Sequence, residues 1–81
     1  MNKTIEEKIY KLMKENKIYG DTVDVTENYI AIEISWGDWK HEHLFFDWLM
    51  RDNIPELKEI KSFITEEDGS DCYSAIHYLF F

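Results

Sequence analysis

Residues 29–36 alternate between two kinds of side chain, and this period of two constrains the fold more than any other feature of the chain. Such alternation predicts a β-strand, because successive side chains of a strand point to opposite faces of the sheet. One face would carry Ile30, Ile32, Ile34 and Trp36. The other would carry Tyr29, Ala31, Glu33 and Ser35. The chain must therefore supply partner strands and a layer that covers the isoleucines.

Two helices flank this strand. The first is predicted over about residues 5–16, because Ile5, Ile9, Leu12 and Met13 recur at helical spacing and a Thr-x-x-Glu capping box starts at Thr4. The second should start at the N-cap Asp38 and end at Met50 or Arg51, ahead of Pro55, which cannot continue a helix.

Three further strands complete the order. Val23 and Val25 alternate with polar residues ahead of the reversal at Glu27 and Asn28, which predicts a hairpin with the strand at 29–36. Segments 58–65 and 72–81 predict a second hairpin around an acidic turn. The element order is then αββαββ.

The predicted order contains the same unit twice, and two short matches suggest an internal duplication. Residues 12–16 (LMKEN) recur as residues 49–53 (LMRDN), 37 positions later. Residues 29–33 (YIAIE) recur as residues 73–77 (YSAIH), 44 positions later. The two offsets differ by seven residues, which would fall in the acidic turn of the second copy.

The fold class that follows is α+β: a two-layer αββαββ sandwich with a four-stranded antiparallel sheet and two helices on one face. The strand match at an offset of 44 predicts which side chains of the last strand are covered. The helix-covered set is Ser74, Ile76, Tyr78 and Phe80. The uncovered set is Tyr73, Ala75, His77, Leu79 and Phe81.

Length, cysteine content and charge bound the class of protein. A chain of 81 residues suffices for one domain, residues 1–81, and its single cysteine, Cys72, excludes an internal disulfide framework. The acidic opening and the lack of a long apolar run predict a cytoplasmic protein without membrane contact. Residues 1–17 hold five lysines and three glutamates, a net charge of +2, so with −8 for the whole chain the remaining residues carry −10. This acidity argues against direct binding to nucleic acid, whose phosphates are bound by clustered Lys and Arg.

No motif indicates catalysis, a cofactor or a metal, so we expect none of them. His41 and His43 are two apart, and on a helix they point away from each other. Cys72 and His77 are five apart in a predicted strand and therefore lie on opposite faces. The chain has no phosphate-binding glycine loop and no nucleophile elbow.

The second helix is apolar over a wide arc. Phe45 and Trp48 stand where the first helix has Lys8 and Lys11, at the offset of 37. Two interpretations stay open: the arc packs on the first helix as well as on the sheet, or part of it is an exposed groove for a partner.

Two surfaces are candidate binding sites. The uncovered sheet face would present the partner-binding or homodimer residues Tyr29, Glu33, Tyr73, His77, Leu79 and Phe81, with Glu33 opposite His77. The acidic hairpin tip would present Glu66, Glu67, Asp68 and Asp71, whose carboxylates could imitate successive phosphates.

The richness in Lys, Glu, Ile, Asn and Tyr is similar to that of small proteins of AT-rich Gram-positive bacteria and their phages or mobile elements. Compact acidic chains in that class include inhibitors of nucleases, of the anti-CRISPR and anti-restriction types. The leading hypothesis is a small acidic protein-binding module that inhibits a basic nucleic-acid-binding enzyme. The alternative is a homodimer or assembly subunit that associates through the aromatic sheet face.

Overall fold

A computed structural model describes residues 2–37, 42–67 and 72–81. The described elements are α1 (Asn2–Glu15), β1 (Gly20–Val25), β2 (Tyr29–Trp36), α2 (Glu42–Asn53), β3 (Glu59–Glu67) and β4 (Tyr73–Phe80). The four strands form one antiparallel sheet in the order β1-β2-β4-β3. The predicted αββαββ order and α+β class are confirmed.

The first helix starts earlier than the capping box predicts. It includes Asn2, so Thr4 lies in its first turn. It ends in a Schellman motif: the N–H of Ile18 bonds to the C=O of Met13 at 2.8 Å, and the N–H of Lys17 bonds to the C=O of Lys14 at 3.2 Å. The predicted N-cap of the second helix, Asp38, lies outside the described residues.

The ends of both helices share one contact, at the positions matched by the offset of 37. The side-chain amide of Asn16 donates to the C=O of Leu12 at 2.8 Å, and that of Asn53 donates to the C=O of Leu49 at 2.9 Å. The methionine after each leucine is buried. Beyond this contact the ends differ, because the N–H of Ile54 bonds to the C=O of Met50 at 2.9 Å and, among the described residues, no left-handed residue follows α2. The internal duplication stays a prediction.

The β1–β2 hairpin closes where the sequence predicts. The Oγ1 of Thr26 accepts hydrogen bonds from the backbone N–H groups of Asn28 and Tyr29, at 3.1 and 3.0 Å. The N–H of Thr26 donates to the C=O of Tyr29 at 2.8 Å. These bonds satisfy the turn internally and bring β2 back along β1.

The core lies between the helices and one face of the sheet. The predicted covered face of β2 is confirmed, because Ile30, Ile32 and Ile34 are fully buried and Trp36 nearly so. The helices contribute the buried side chains Ile5, Ile9, Met13, Phe46, Leu49 and Met50.

The predicted faces of β4 are inverted. Tyr73, Ala75, His77 and Leu79 are buried beneath the helices, whereas the residues between them lie on the open face. The register explains this result: Ile32 pairs with His77, 45 residues later, and paired residues of an antiparallel ladder share a face. Residues of β2 and β4 that share a face are therefore separated by an odd number of positions. The predicted offset of 44 is even, so it matches residues that lie on opposite faces. A slip of one residue moves every side chain to the other face.

Candidate functional site

The open face of the sheet carries a continuous apolar surface, which we call the open-face cluster. Its members are Tyr29, Phe63, Ile76, Tyr78 and Phe80, from β2, β3 and β4. Tyr29 pairs with Phe80 and Phe63 pairs with Ile76, so the ladder sets these side chains next to one another. Both helices pack on the opposite face, and no described element covers this one.

Tyr78 is the centre of the open-face cluster. Its ring lies edge-on to Tyr29 at 5.6 Å between centroids and edge-on to Phe63 at 6.0 Å. It stacks on Phe80 at 6.4 Å with 24° between the planes. These are favoured geometries for aromatic pairs, so the rings support one another as a preformed surface. Phe63, at the edge, is 56% exposed.

Carboxylates surround the open-face cluster. The Tyr29 hydroxyl donates to the Asp24 carboxylate at 2.7 Å, and this hydrogen bond, with burial and the negative charge, raises the pKa of Tyr29. Asp21 pairs with Glu33 across β1 and β2, and Glu59 pairs with Phe80 at the other side. Lys61 is the one basic residue that the described ladder places on this face, with its Nζ 6.0 Å from the Phe80 ring centroid. The aromatic surface therefore has an acidic border.

The predicted sheet-face site is partly wrong. Tyr29 and Glu33 lie on the open face as predicted. Tyr73, His77 and Leu79 are buried under the helices, and Phe81 packs against the core instead. Glu33 pairs with Ile76, so the predicted Glu33–His77 pair does not form.

The residues that the sequence reasoning missed are Phe63, Ile76, Tyr78 and Phe80. Both alternating sets of β4 contain two or more large apolar side chains, so amphipathicity could not select the covered one. The prediction took the phase of β4 from the offset of 44, which set the polar His77 on the open face.

Only part of the predicted acidic tip is described. Glu66 and Glu67 are the last residues of β3, where the ladder with β4 resumes after an irregularity between Ile64 and Glu66. Asp68 and Asp71 lie outside the described residues. The tip therefore stays a prediction.

A chain of polar groups crosses the helix-covered side of the sheet at His77, which is fully buried. The indole N–H of Trp36 donates to His77 Nε2 at 3.0 Å, and Ser62 Oγ lies 2.7 Å from His77 Nδ1. Because Nε2 accepts, the proton of the neutral ring is on Nδ1 and is donated to Ser62. Asp47 on α2 bonds to Ser62 in turn.

This arrangement holds the histidine in the wrong state for catalysis by Ser62. A general base needs a free lone pair facing the nucleophile, and here the Nδ1 lone pair is occupied by a proton. Burial, and secondarily the charge of His43, lower the pKa of His77 to about 4. Burial also raises the pKa of Asp47, whose Oδ1 is buried without a hydrogen-bond partner among the described residues. The chain of groups thus supports packing at the helix–sheet interface.

The other residues considered for metal binding or catalysis are dispersed. His43 Nδ1 lies 3.1 Å from the Tyr73 hydroxyl, His41 lies outside the described residues, and Cys72 is exposed. Within the described ranges, no three His, Cys, Asp or Glu side chains converge on a point that could hold a metal ion.

The outer surface of α2 is a second apolar patch. Leu44, Phe45 and Trp48 are exposed, and Phe45 stacks on Trp48 at 6.0 Å. The interpretation that the whole arc of this helix is packed is therefore wrong. Part of the arc faces outward, as the alternative interpretation expected.

In the described part of the chain, neither helix has the length and apolar character needed to cross a membrane. No protein-family model, curated protein or solved structure matches this chain.

Proposed function

We propose that this chain is a small acidic protein-binding module whose contact surface is the open-face cluster. The observation that carries the proposal is an uncovered layer of mutually packed aromatic rings on a rigid sheet. Aromatic side chains are enriched at protein interfaces because they bring large contact area at small cost in side-chain entropy. The rings are held by the ladder and by one another, so little order has to be gained on binding.

The acidic border supports a basic partner over self-association through this face. Two copies laid face to face would bring together the carboxylates of Asp21, Asp24, Glu33 and Glu59. Apposed like charges disfavour such a complex, whereas a basic protein would gain both attraction and faster association. The net charge of −8 also attracts a basic protein at longer range.

The partner class that we propose is a basic nucleic-acid-binding enzyme, which the chain would inhibit by occupying its nucleic-acid groove. Support comes from four acidic residues at the end of β3 and just after it in the sequence: Glu66, Glu67, Asp68 and Asp71. The same strand carries Phe63. In the groove of the enzyme, these carboxylates would occupy the positions of nucleic-acid phosphates. The open-face cluster would add an apolar contact with the enzyme that nucleic acid does not make.

The test is affinity capture from a lysate of the encoding organism with three forms of the tagged chain. These are the wild type, Phe63→Asp on the open face, and Trp48→Asp on α2 as the control. Phe63 and Trp48 are 56% and 58% exposed, so both substitutions should leave the fold intact. Circular dichroism and thermal unfolding verify this before capture.

We expect a basic protein that is retained by the wild type and Trp48→Asp and is lost with Phe63→Asp. Its binding should weaken as salt is raised, and duplex DNA or RNA should compete with it. Loss with Trp48→Asp alone would move the site to α2. A captured protein that is acidic, or one that nucleic acid does not displace, would refute the proposed partner class.

A further inference from the structure

The two edge strands of the sheet, β1 and β3, differ in whether another element bonds to their outer side. At the β1 edge, the Tyr10 hydroxyl of α1 accepts a hydrogen bond from the backbone N–H of Thr22 at 2.9 Å and also bonds to the Thr22 hydroxyl. At the β3 edge, no described element pairs with the outer side of the strand. Unpaired edges are templates for a further strand, so β3 is the edge open to association.

The phase of the ladder shows which groups of β3 face outward. The N–H of Phe81 donates to the C=O of Asn28 on the β2 side at 2.9 Å. Odd-numbered residues of β4 therefore direct their backbone groups to β2, and even-numbered residues direct theirs to β3. The even-numbered residues of β4 pair with Glu59, Lys61 and Phe63, so these three direct their backbone groups to β4. The residues between and after them, Ile60, Ser62 and Ile64, direct theirs outward.

We infer that β3 pairs antiparallel with β3 of a second copy, about a two-fold axis at Ser62, so that two chains share one eight-stranded sheet. This register uses all three outward-directed residues, because Ser62 meets Ser62 and Ile60 meets Ile64. Next to them, Lys61 lies opposite Phe63, a pairing of a cation with an aromatic ring. Ile64 is 51% exposed in one chain and would be covered in two.

Other registers fit less well. An axis at Lys61 would set two lysines opposite each other, and like charges directly opposed are destabilising. An axis at Phe63 would set Ser62 opposite Ile64, so the exposed Ile64 would have no apolar partner across the edge. Of these three axes, the one at Ser62 pairs the exposed Ile64 with an apolar side chain on one face and a cation with a ring on the other.

Charge selects the same edge. Residues 58–67 hold two lysines against three glutamates, whereas β1 carries Asp21 and Asp24 and no basic residue. Pairing through β3 joins the less acidic edges and sets the acidic β1 strands at the far ends of the dimer. A two-fold axis normal to the sheet also puts both open-face clusters on the same side of the eight-stranded sheet. The dimer does not depend on the proposed basic partner.

Sedimentation velocity from low micromolar to near-millimolar protein tests the pairing. We expect the wild type to pass from one to two chain masses as concentration rises. Ile64→Lys should raise the dissociation constant at least about tenfold, because it brings an unpaired charge to the new ladder. Val23→Lys is the control: Val23 is 58% exposed on the β1 edge, and its substitution should change nothing.

Amide hydrogen exchange gives a readout that does not depend on a variant. The amides of Ile60, Ser62 and Ile64 should exchange fast in dilute solution and at least about tenfold more slowly when the dimer is populated. A wild type that stays monomeric throughout would overturn the inference. So would a dimer that survives Ile64→Lys, or one that forms without protection of these three amides.

Discussion

Lys17 ends α1 in the left-handed region, with a φ of 57°, and it is the one described non-glycine residue with positive φ. A side chain with a Cβ is strained there, and glycine is the usual occupant of this position in a Schellman motif. The Lys17 side chain is exposed, so the strain is not offset by burial.

Lys17→Gly should therefore stabilise the protein by about 1 kcal/mol. The measurement is the urea midpoint at constant slope. Asn16→Gly is the matched control, and it should destabilise because it removes the amide bond to the Leu12 C=O. A loss of stability in Lys17→Gly would contradict this account.

His77 should make stability fall in mild acid. Its pKa is lowered to about 4 in the folded protein, first by burial and then by the charge of His43, whereas the unfolded chain binds this proton near pH 6.5. Between those values only the unfolded state is protonated, so the free energy of unfolding decreases as pH falls, by about 3 kcal/mol in total.

The check is denaturation from pH 7 to 4 of the wild type and of His77→Gln, a neutral side chain that can keep both hydrogen bonds. Every other titratable group is the same in the two proteins, so the difference between their pH profiles isolates His77. An equal pH slope in the two would count against it. If the variant does not fold, NMR titration of the wild-type ring should show it neutral until about pH 4.

Asp47→Asn should increase stability near neutral pH. Burial is the first cause of the raised pKa of Asp47, and the nearby positive charges of His43 and Arg51 only partly oppose it. A raised pKa means that the folded state disfavours the carboxylate, so the neutral amide should gain up to about 1 kcal/mol at this partly exposed site. The gain should vanish as pH falls and Asp47 becomes protonated. Asp52→Asn, exposed in the last turn of the same helix, is the control in urea denaturation. It removes an equal charge without relieving burial, so its gain should be smaller.

At the scale of elements, the close pairing of β1 with β2 limits the size of the side chain at Gly20. Gly20 starts β1 opposite Ile34, and a Cβ there would lie 2.6 Å from the backbone oxygen of Glu33 and 2.7 Å from Ile34 Cγ1. Its φ is not positive, so space and not backbone conformation requires the glycine. The backbone oxygen can move only if β1 separates from β2.

Gly20→Ala is thus expected to lower the free energy of unfolding by about 1–3 kcal/mol. Gly37→Ala is the matched comparison, because an added Cβ there meets nothing within 4 Å, and it should be neutral or slightly stabilising. Thermal unfolding of both variants measures the difference. Equal stability of the two would show that β1 yields more easily than the structure indicates.

The helices and strands differ in how well their sequence determined them. The 3.6-residue period of α1 and the alternation of β2 each have one apolar face, and both predictions hold apart from the start of α1. In β4 both faces are apolar, and the phase follows from the ladder with β2, where Ile32 faces His77. The cost of burying His77 is met by Trp36 and Ser62, one from β2 and one from β3, which no local pattern contains.

At the scale of the whole molecule, charge and aromatic surface separate into parts. Along the chain, residues 1–17 carry a net positive charge and the remainder a net negative one, and the open-face cluster lies on the side of the sheet away from both helices. A basic partner would approach along the field of the acidic part and dock on the rings.

Changing Glu66, Glu67, Asp68 and Asp71 to Ser should slow association with the captured basic partner and weaken its binding at least about tenfold at low salt. The control changes Glu6, Glu7, Glu15 and Glu56 to Ser, which alters net charge equally at other places. Stopped-flow association and equilibrium binding at two salt concentrations make the comparison. If both variants lose affinity equally, net charge is responsible and the tip has no special role.

The sequence by itself determined the αββαββ order, the antiparallel α+β class, the covered face of β2 and the acidic charge, because each depends on local periodicity or on composition. Tertiary structure alone decided the strand order, the faces of β4 and hence the membership of the open-face cluster. The physical reason is that strand phase is set by pairing across the sheet. A strand with two apolar faces accepts either phase until hydrogen bonds from distant residues select one.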